Sequence, residues 1–531
     1  DEPDGDDSNP NLGPMDEYGN CRVLVPDLYI KDHAVDNGNF EPNTILFSLF
    51  FNRRTPFESP DIWVEDMAGN KIGNVWSNQD YKICVRIRNR GTLASTGDEK
   101  LYLNWNRNNF EDSWRNGWQN SYAYCPNGSS VLAGDVVAGT GTGVAVGEVI
   151  QPGGAYIKKI DWHSPSELDF MFCNGFLQKW QKIIDRPINS NYGFLARIHD
   201  GKAIPNEPAA QSVSLKTFVC ASNNVAVNKK AVLAGKFGRI IFLRPDILPF
   251  DIAINFNANA SDQKLPKYAE LYIQLDEDLL NQWKANGAEG EGFKITDKGF
   301  LITSPDGAVI KNLQVTDKNA INGYGIFVEF LSKETPESSD FDFVVSQLVN
   351  DSTVIDEVPF AAVRNMDRYF AVQAHAEAIL RDKSLILRAD ELGEPAKYIW
   401  YNANGKEIGS EREIEFELPK FSQWFKLEVI ADADNYKDYD SVFVFVPAGF
   451  IVSLAPNPTH NDVTVEYFLS DEVHTSSLMV YNSFGNLLIN EPITNAETEK
   501  TFYLGGLLPG TYSVILVANS IPSDSKTLIK Q

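Results

Sequence analysis

The sequence predicts an all-β chain of tandem immunoglobulin-like β-sandwiches with minor short helices. Short stretches alternate apolar and polar residues, as at 83–88 (ICVRIR), 101–105 (LYLNW), 425–430 (FKLEVI) and 441–446 (SVFVFV). Gly, Asn, Asp and Pro punctuate these stretches as turn residues. The strand–helix–strand alternation of a parallel sheet is missing.

With 531 residues the chain exceeds one hydrophobic core and divides into several units. Residues 1–56 read as an acidic tail followed by irregular structure, since five acids crowd the first seven positions. Residues 57–228 read as a strand-rich sandwich with long loops. Residues 229–364 form a second sandwich containing the best helix candidate, 276–285, where Leu279, Leu280 and Trp283 share a face and Gly287 stops the helix. A second short helix is expected at 177–184. Residues 365–450 make a compact third sandwich, in which Trp400 lies on an alternating strand ahead of an Asn404-Gly405 hairpin turn. A buried indole packed across two sheets accounts for Trp400. Residues 451–531 form the last unit, set off by VPAG at 446–449 and by Pro456 and Pro458.

The formal net charge of −25 disfavours a phosphate backbone, so nucleic acid is not an expected partner. No run of about 18 apolar residues is present to span a membrane. No basic n-region with an apolar h-region opens the sequence, which is compatible with a leader removed ahead of Asp1. The cysteines Cys21, Cys84, Cys125, Cys173 and Cys220 include no C-x-x-C pair, so zinc is not expected; an odd count leaves at least one thiol unpaired within the chain. Cys84, on an alternating strand, reads as a buried structural thiol.

Catalytic signatures are lacking. The six histidines form no H-E-x-x-H, and no G-x-S-x-G or P-loop Lys-Ser/Thr occurs. No cofactor is expected, calcium being the one candidate ion. Asp27, Asp32, Asp36 and Glu41 could supply oxygen ligands, although no standard calcium loop is formed. A candidate ligand-binding region holds Trp105, Trp114, Trp118, Tyr122 and Tyr124, whose rings would stack on sugars if exposed and would pack a long loop if buried.

The final segment carries the most specific pattern. It runs SLAPNPTHNDVTVEYFL from 453, LMVYNSFGNLLI at 478–489, LGGLLPGTYSVILV at 504–517 and ends SKTLIKQ. This order resembles the type A C-terminal sorting domain of Bacteroidota type IX secretion. Pro456, Asn457 and Pro458 match the opening motif, Gly485 the central turn, Gly510, Tyr512 and Val514 the closing motif, and Lys526 and Lys530 the basic tail. Asn482 stands where the family usually has an acid, and Asn461-Asp462 where it usually has Gly. The resemblance implies export to the cell surface or beyond, recognition by the secretion machinery, and often removal by a sortase.

Two weaker resemblances concern the preceding units. The series SPDIWVED at 59–66, VRIRNRG at 85–91, YIKKIDWHSP at 156–165 and YGFLARIHD at 192–200 is similar to CARDB-like modules, which are spacers or adhesion units. The third unit is similar to PKD and immunoglobulin-like domains. Together these imply a non-catalytic surface protein for adhesion, ligand binding or complex formation. The alternatives are a carbohydrate-binding accessory subunit of an outer-membrane nutrient-uptake assembly, with an outer-membrane protein or glycan as partner, and a secreted hydrolase.

Overall fold

The computed structural model describes short strands at 12–15 and 21–23, residues 26–32 and most of 57–531. Residues 33–56, 108–112, 125–129, 167–187, 200–212, 257–264, 315–322 and 332–339, with shorter gaps, lie outside the described residues. The expected helix at 177–184 and the acidic tail at 1–7 fall there. The described residues form four β-sandwiches in sequence.

The first sandwich packs a sheet built on Asp80–Asn89, Ala155–His163 and Ile62–Glu65 against one built on Lys100–Arg107, Tyr192–His199 and Ser130–Ala138. Ile83, Val85 and Ile87 point inward to meet Leu101, Leu103 and Trp105. The period-2 geometry of a strand puts this set on one face. The expected division at residue 56 needs correction here. Leu28–Tyr29 pairs with Arg88 and Asn89, and Leu28 and Ile30 are core residues of this sandwich. Asp61 explains the attachment: its carboxylate accepts from the Lys31 amide at 3.0 Å, and Asn224 Nδ2 donates to the Leu28 carbonyl at 2.8 Å.

The second sandwich has two six-stranded sheets, centred on Gly323–Phe330 with Ala269–Leu275 and on Asp340–Val349 with Phe250–Phe256. Ile188–Ser190, which precedes the expected boundary at 229, adds a parallel edge strand beside Gly238–Phe242. The helix Glu277–Ala285 forms as its sequence dictates. Asp276 caps it by accepting from the Leu279 amide at 2.8 Å, Leu279 and Trp283 enter the core, and Gly287 follows with φ +102°.

The third sandwich opposes three strands (Ala376–Arg381, Ser384–Ala389, Glu413–Glu417) to four (Glu407–Gly409, Ala396–Tyr401, Gln423–Ala431, Lys437–Val444). Trp400 sits fully buried between them and donates Nε1–H to the Glu411 carbonyl at 3.0 Å. The fourth repeats the three-plus-four arrangement with Gly449–Ala455, Asp462–Leu469 and Glu499–Tyr503 against Leu487–Pro492, Ser476–Asn482, Gly510–Ala518 and Ile521–Lys530.

One hairpin turn recurs in three of these units. Asp66, Asn402 and Asn482 each begin it, and Gly69, Gly405 and Gly485 each take positive φ (93°, 73° and 77°) three residues later. In each, the leading side chain accepts two amides at 2.8–3.1 Å, two and four residues on. Asn and Asp favour such turns because the short side chain bonds its own backbone, and Gly tolerates the left-handed position.

Candidate functional site

Of the two readings of the aromatic region, stacking faces or packing, its three indoles take the second. Trp105, Trp114 and Trp118 expose 4%, 1% and 0% of their surface. Trp105 belongs to the inner core beside Trp162 and Tyr192. Trp114 and Trp118 cover the outer face of the second sheet with Phe57, Leu215 and Phe218, where Trp114 stacks on Phe218 at 4.6 Å. The Arg197 guanidinium lies over the Trp114 ring at 4.4 Å, and burial lowers its pKa to about 10. Trp114 and Trp118 therefore seal a loop onto a sheet while Trp105 fills the core, and none of the three presents a face to a sugar; Tyr122 is exposed, while the Tyr124 side chain lies outside the described residues. Of the candidate calcium ligands, Asp32 is buried, the Asp27 amide donates to Asn89, and Asp36 and Glu41 lie outside the described residues. Among the described residues no group of three or more His, Cys, Asp or Glu is arranged to hold a metal ion. Cys84 is buried and unpaired, and burial, aided by Glu65, pushes its thiol up to about 12, so it is inert.

A polar cluster that the sequence did not announce lies where the first sandwich meets the third. Arg88 grips Asp61 through Nε at 2.8 Å and Nη2 at 3.0 Å, both side chains being almost fully buried, and also pairs with Glu377. Arg86 reaches Asp390 at 2.7 Å. His375 stands between them, 3.3 Å from Arg88 Nη2. Burial alone would raise the Asp61 pKa, but the Arg88 charge and hydrogen bonds outweigh it and hold the carboxyl far below its ordinary range. His375 is lowered to about 3, first by burial and then by Arg86, Lys31 and Arg88, with Asp390 opposing. It is therefore neutral at physiological pH.

Beside this cluster a cavity of about 260 Å³ is lined by residues from three sandwiches, among them Trp63, Lys71, Lys230, Phe370, His375 and Tyr439. Charged groups at and beside its wall are engaged with neighbours. Lys71 and Arg86 lie over the Trp63 ring at 4.9 and 5.6 Å, Lys426 lies over Tyr439 at 4.1 Å, and Lys230 pairs with Asp342 at 2.9 Å. The cluster joins units and carries no arrangement of nucleophile and base. A hint existed in 80–89: Cys84 is apolar and buried on the face opposite Ile83 and Val85, so something covers that face. The covering residues lie about 300 positions away, beyond any local signal.

In the fourth sandwich most of the motif residues, spread over 75 positions, converge on one end, while Val514 and Lys526 pair at mid-strand. The chain leaves the third sandwich at Gly449, and successive antiparallel strands place 455–461, 482–487, 503–510 and 529–531 at the far end. Asn457 ties the opening motif to the last strand: its Nδ2 donates to the Thr527 carbonyl at 2.8 Å and its Oδ1 accepts from the Ile529 amide at 2.9 Å. Lys530 Nζ donates to the His460 and Gln531 carbonyls. Gly485 turns the central hairpin, with Asn482 doing by its amide oxygen what an acid would do. Tyr512 bonds the Leu508 carbonyl at 2.6 Å, and Val514 is a core residue opposite Lys526. Around this end Phe484, Leu508 and Tyr503 are 87%, 80% and 74% exposed. The segments 473–490 and 501–523 contain no Asp, Glu, Lys or Arg.

Comparison with known proteins assigns this unit. A family model described as a secretion system C-terminal sorting domain matches residues 453–531. No curated protein matches the chain. Among solved structures, a two-domain fibronectin type III segment of chicken tenascin is 14% identical, covering 29% of this chain and 95% of its own at a TM-score of 0.19. The BSP domain of a biofilm associated protein is 11% identical, covering 89% of this chain and 97% of its own at a TM-score of 0.16. Dimeric latent PorU from Porphyromonas gingivalis is 13% identical, covering 50% and 30% at a TM-score of 0.17. At these TM-scores the likenesses carry no functional inference. Among the described residues no helix is long and apolar enough to cross a membrane. Residues 453–531 are thus a C-terminal sorting domain, and the chain is exported by type IX secretion to the cell surface or the extracellular space.

Proposed function

We propose that the chain is a non-catalytic surface protein whose first three sandwiches serve adhesion or complex formation, and whose sorting domain presents its far end to the secretion machinery. The observation that carries this reading is the contrast in what is exposed. Trp105, Trp114 and Trp118 and the ionisable cluster around Arg88 are consumed in packing within and between sandwiches, whereas Phe484, Tyr503 and Leu508 stand out from segments, 473–490 and 501–523, that carry no Asp, Glu, Lys or Arg. An apolar exposed patch on an otherwise acidic protein marks a docking surface. A protein partner suits the first three units better than a glycan, because Trp105, Trp114 and Trp118, the indoles that could have stacked on a sugar, are buried. CARDB-like and PKD-like descent, a Bacteroidota source, an outer-membrane partner and removal by a sortase are parts of this same proposal.

Export of a chain carrying Phe484→Ser and Leu508→Ser tests the reading. Both side chains are exposed, so the fold survives, and the secreted fraction should fall at least about tenfold, the loss expected when apolar anchors leave an interface. Leu93→Ser, an exposed residue of the first sandwich, should leave export unchanged. Normal export of the double variant would overturn the proposal for the far end.

A further inference from the structure

The segment joining the third sandwich to the sorting domain is built as a closed joint. Val446, Pro447 and Gly449 are buried. The Val446 amide donates to Ser422 Oγ at 3.0 Å, the Ser470 amide to the Ala448 carbonyl at 2.9 Å, and the Ile451 amide to Asp524 at 2.8 Å. A side chain at Gly449 would strike Leu469 and Leu516 at 2.8 and 2.9 Å, so the backbone passes directly against the sorting-domain core. Beside the joint, Phe468 of the sorting domain is buried with the core of the third sandwich, Phe450 stacks on it at 5.1 Å, and Lys420 sits over its ring at 4.5 Å. The Asp471 amide donates to the Lys420 carbonyl at 2.8 Å, and Lys383 reaches Glu466 at 2.6 Å.

A protease needs several residues of extended, accessible backbone, which exposed loop tips supply and a buried, hydrogen-bonded segment does not. We infer that residues 446–451 form a latch: the folded chain keeps its sorting domain, and the joint becomes a processing site only after Phe450 and Phe468 leave the third sandwich and Gly449–Ile451 peel from their strand partners Tyr467–Leu469. Any enzyme that trims the domain must act on this opened state, so the docking of two domains, rather than the local sequence, gates removal. This goes beyond the export reading and does not depend on which machinery exports the chain.

Limited proteolysis of the full chain with subtilisin, followed by mass mapping of the fragments, tests the latch. In the unaltered chain, cleavage at 446–451 should be at least about tenfold slower than at the loop 505–509, because cutting a protected segment tracks the small opened population. Phe468→Ser should bring cleavage at 446–451 up towards the loop rate while both flanking domains survive as fragments. Equal cutting of joint and loop in the unaltered chain would overturn the latch. Should Phe468→Ser unfold the domain outright, hydrogen exchange on the unaltered chain decides. The Val446 and Ile451 amides should exchange as slowly as those of Gln423–Ala431. Exchange at loop rates would reject it.

Discussion

Two of the joints made by the third sandwich are held by opposite chemistry. Towards the first sandwich it meets buried charge: Arg88 between Asp61 and Glu377, Arg86 on Asp390, and a neutral His375 among them. Towards the sorting domain it meets stacked phenyl rings and backbone hydrogen bonds, with one partly exposed ion pair at the rim. A buried ion pair demands fixed geometry, since desolvated charges are costly unless their partners stay in place, and so it fixes how two domains sit. An apolar contact is less directional and can open and close without stranding a charge. The first joint suits units that work as one body; the second suits a domain whose task ends after export.

The largest expected effect is at the charged joint. Arg88→Met keeps much of the side-chain volume but leaves Asp61 buried without its partner, and should cost about 3–5 kcal/mol in urea unfolding. Adding Asp61→Asn should recover part of that loss; no recovery would mean that Arg88 acts through packing alone.

The next effect separates the joints by pH. The folded-state pKa of His375 is lowered from 6.5 to about 3, so on acidification the unfolded chain takes the proton first. Stability is therefore lost as pH falls from 6.5 towards 3, with a slope reaching about 1.4 kcal/mol per pH unit. Asp61 adds a further loss below its ordinary value of 3.8, because its folded pKa is depressed. His375→Gln, which can still accept from Arg88, should flatten the profile between pH 6.5 and 4, measured by denaturant midpoints at several pH values. Parallel profiles for the two proteins would dismiss the histidine as the source. The smallest effect is at the rim of the apolar joint. Lys383→Ala removes a partly exposed pair and should change stability by no more than about 0.5 kcal/mol, read as a shift in thermal midpoint. A larger shift would mean that charge holds both joints.

Local features were legible because their physics is local. Alternation announced the sandwiches, Asp276 and Gly287 bounded the helix, and Trp400 was readable as a buried cross-sheet indole. The order of the sorting motifs was readable too, but not the meeting of Asn457, Gly485, Gly510 and Lys530 at one end, which arises from strand pairing across 75 residues. Trp114 and Trp118 stood open between two readings for a definite reason: a loop rich in aromatics can face solvent or fold back onto a sheet, and only the outer-face residues Leu195, Val225 and Val227 decide between them. Arg86 and Arg88 look like solvent-facing residues of an alternating strand until a sandwich distant in sequence covers that face.

The recurring hairpin has a consequence for how an address is written into a protein. The same turn, begun by Asp66, Asn402 or Asn482 and completed by a left-handed glycine, occurs in two sandwiches that are not sorting domains. A token common to all three positions cannot tell a receptor where the sorting domain is. The discriminating letter must differ among copies, and at the position before glycine the three read Ala68, Asn404 and Phe484. Under the docking role proposed above, the turn is stationery, and the exposed phenylalanine is the handwriting.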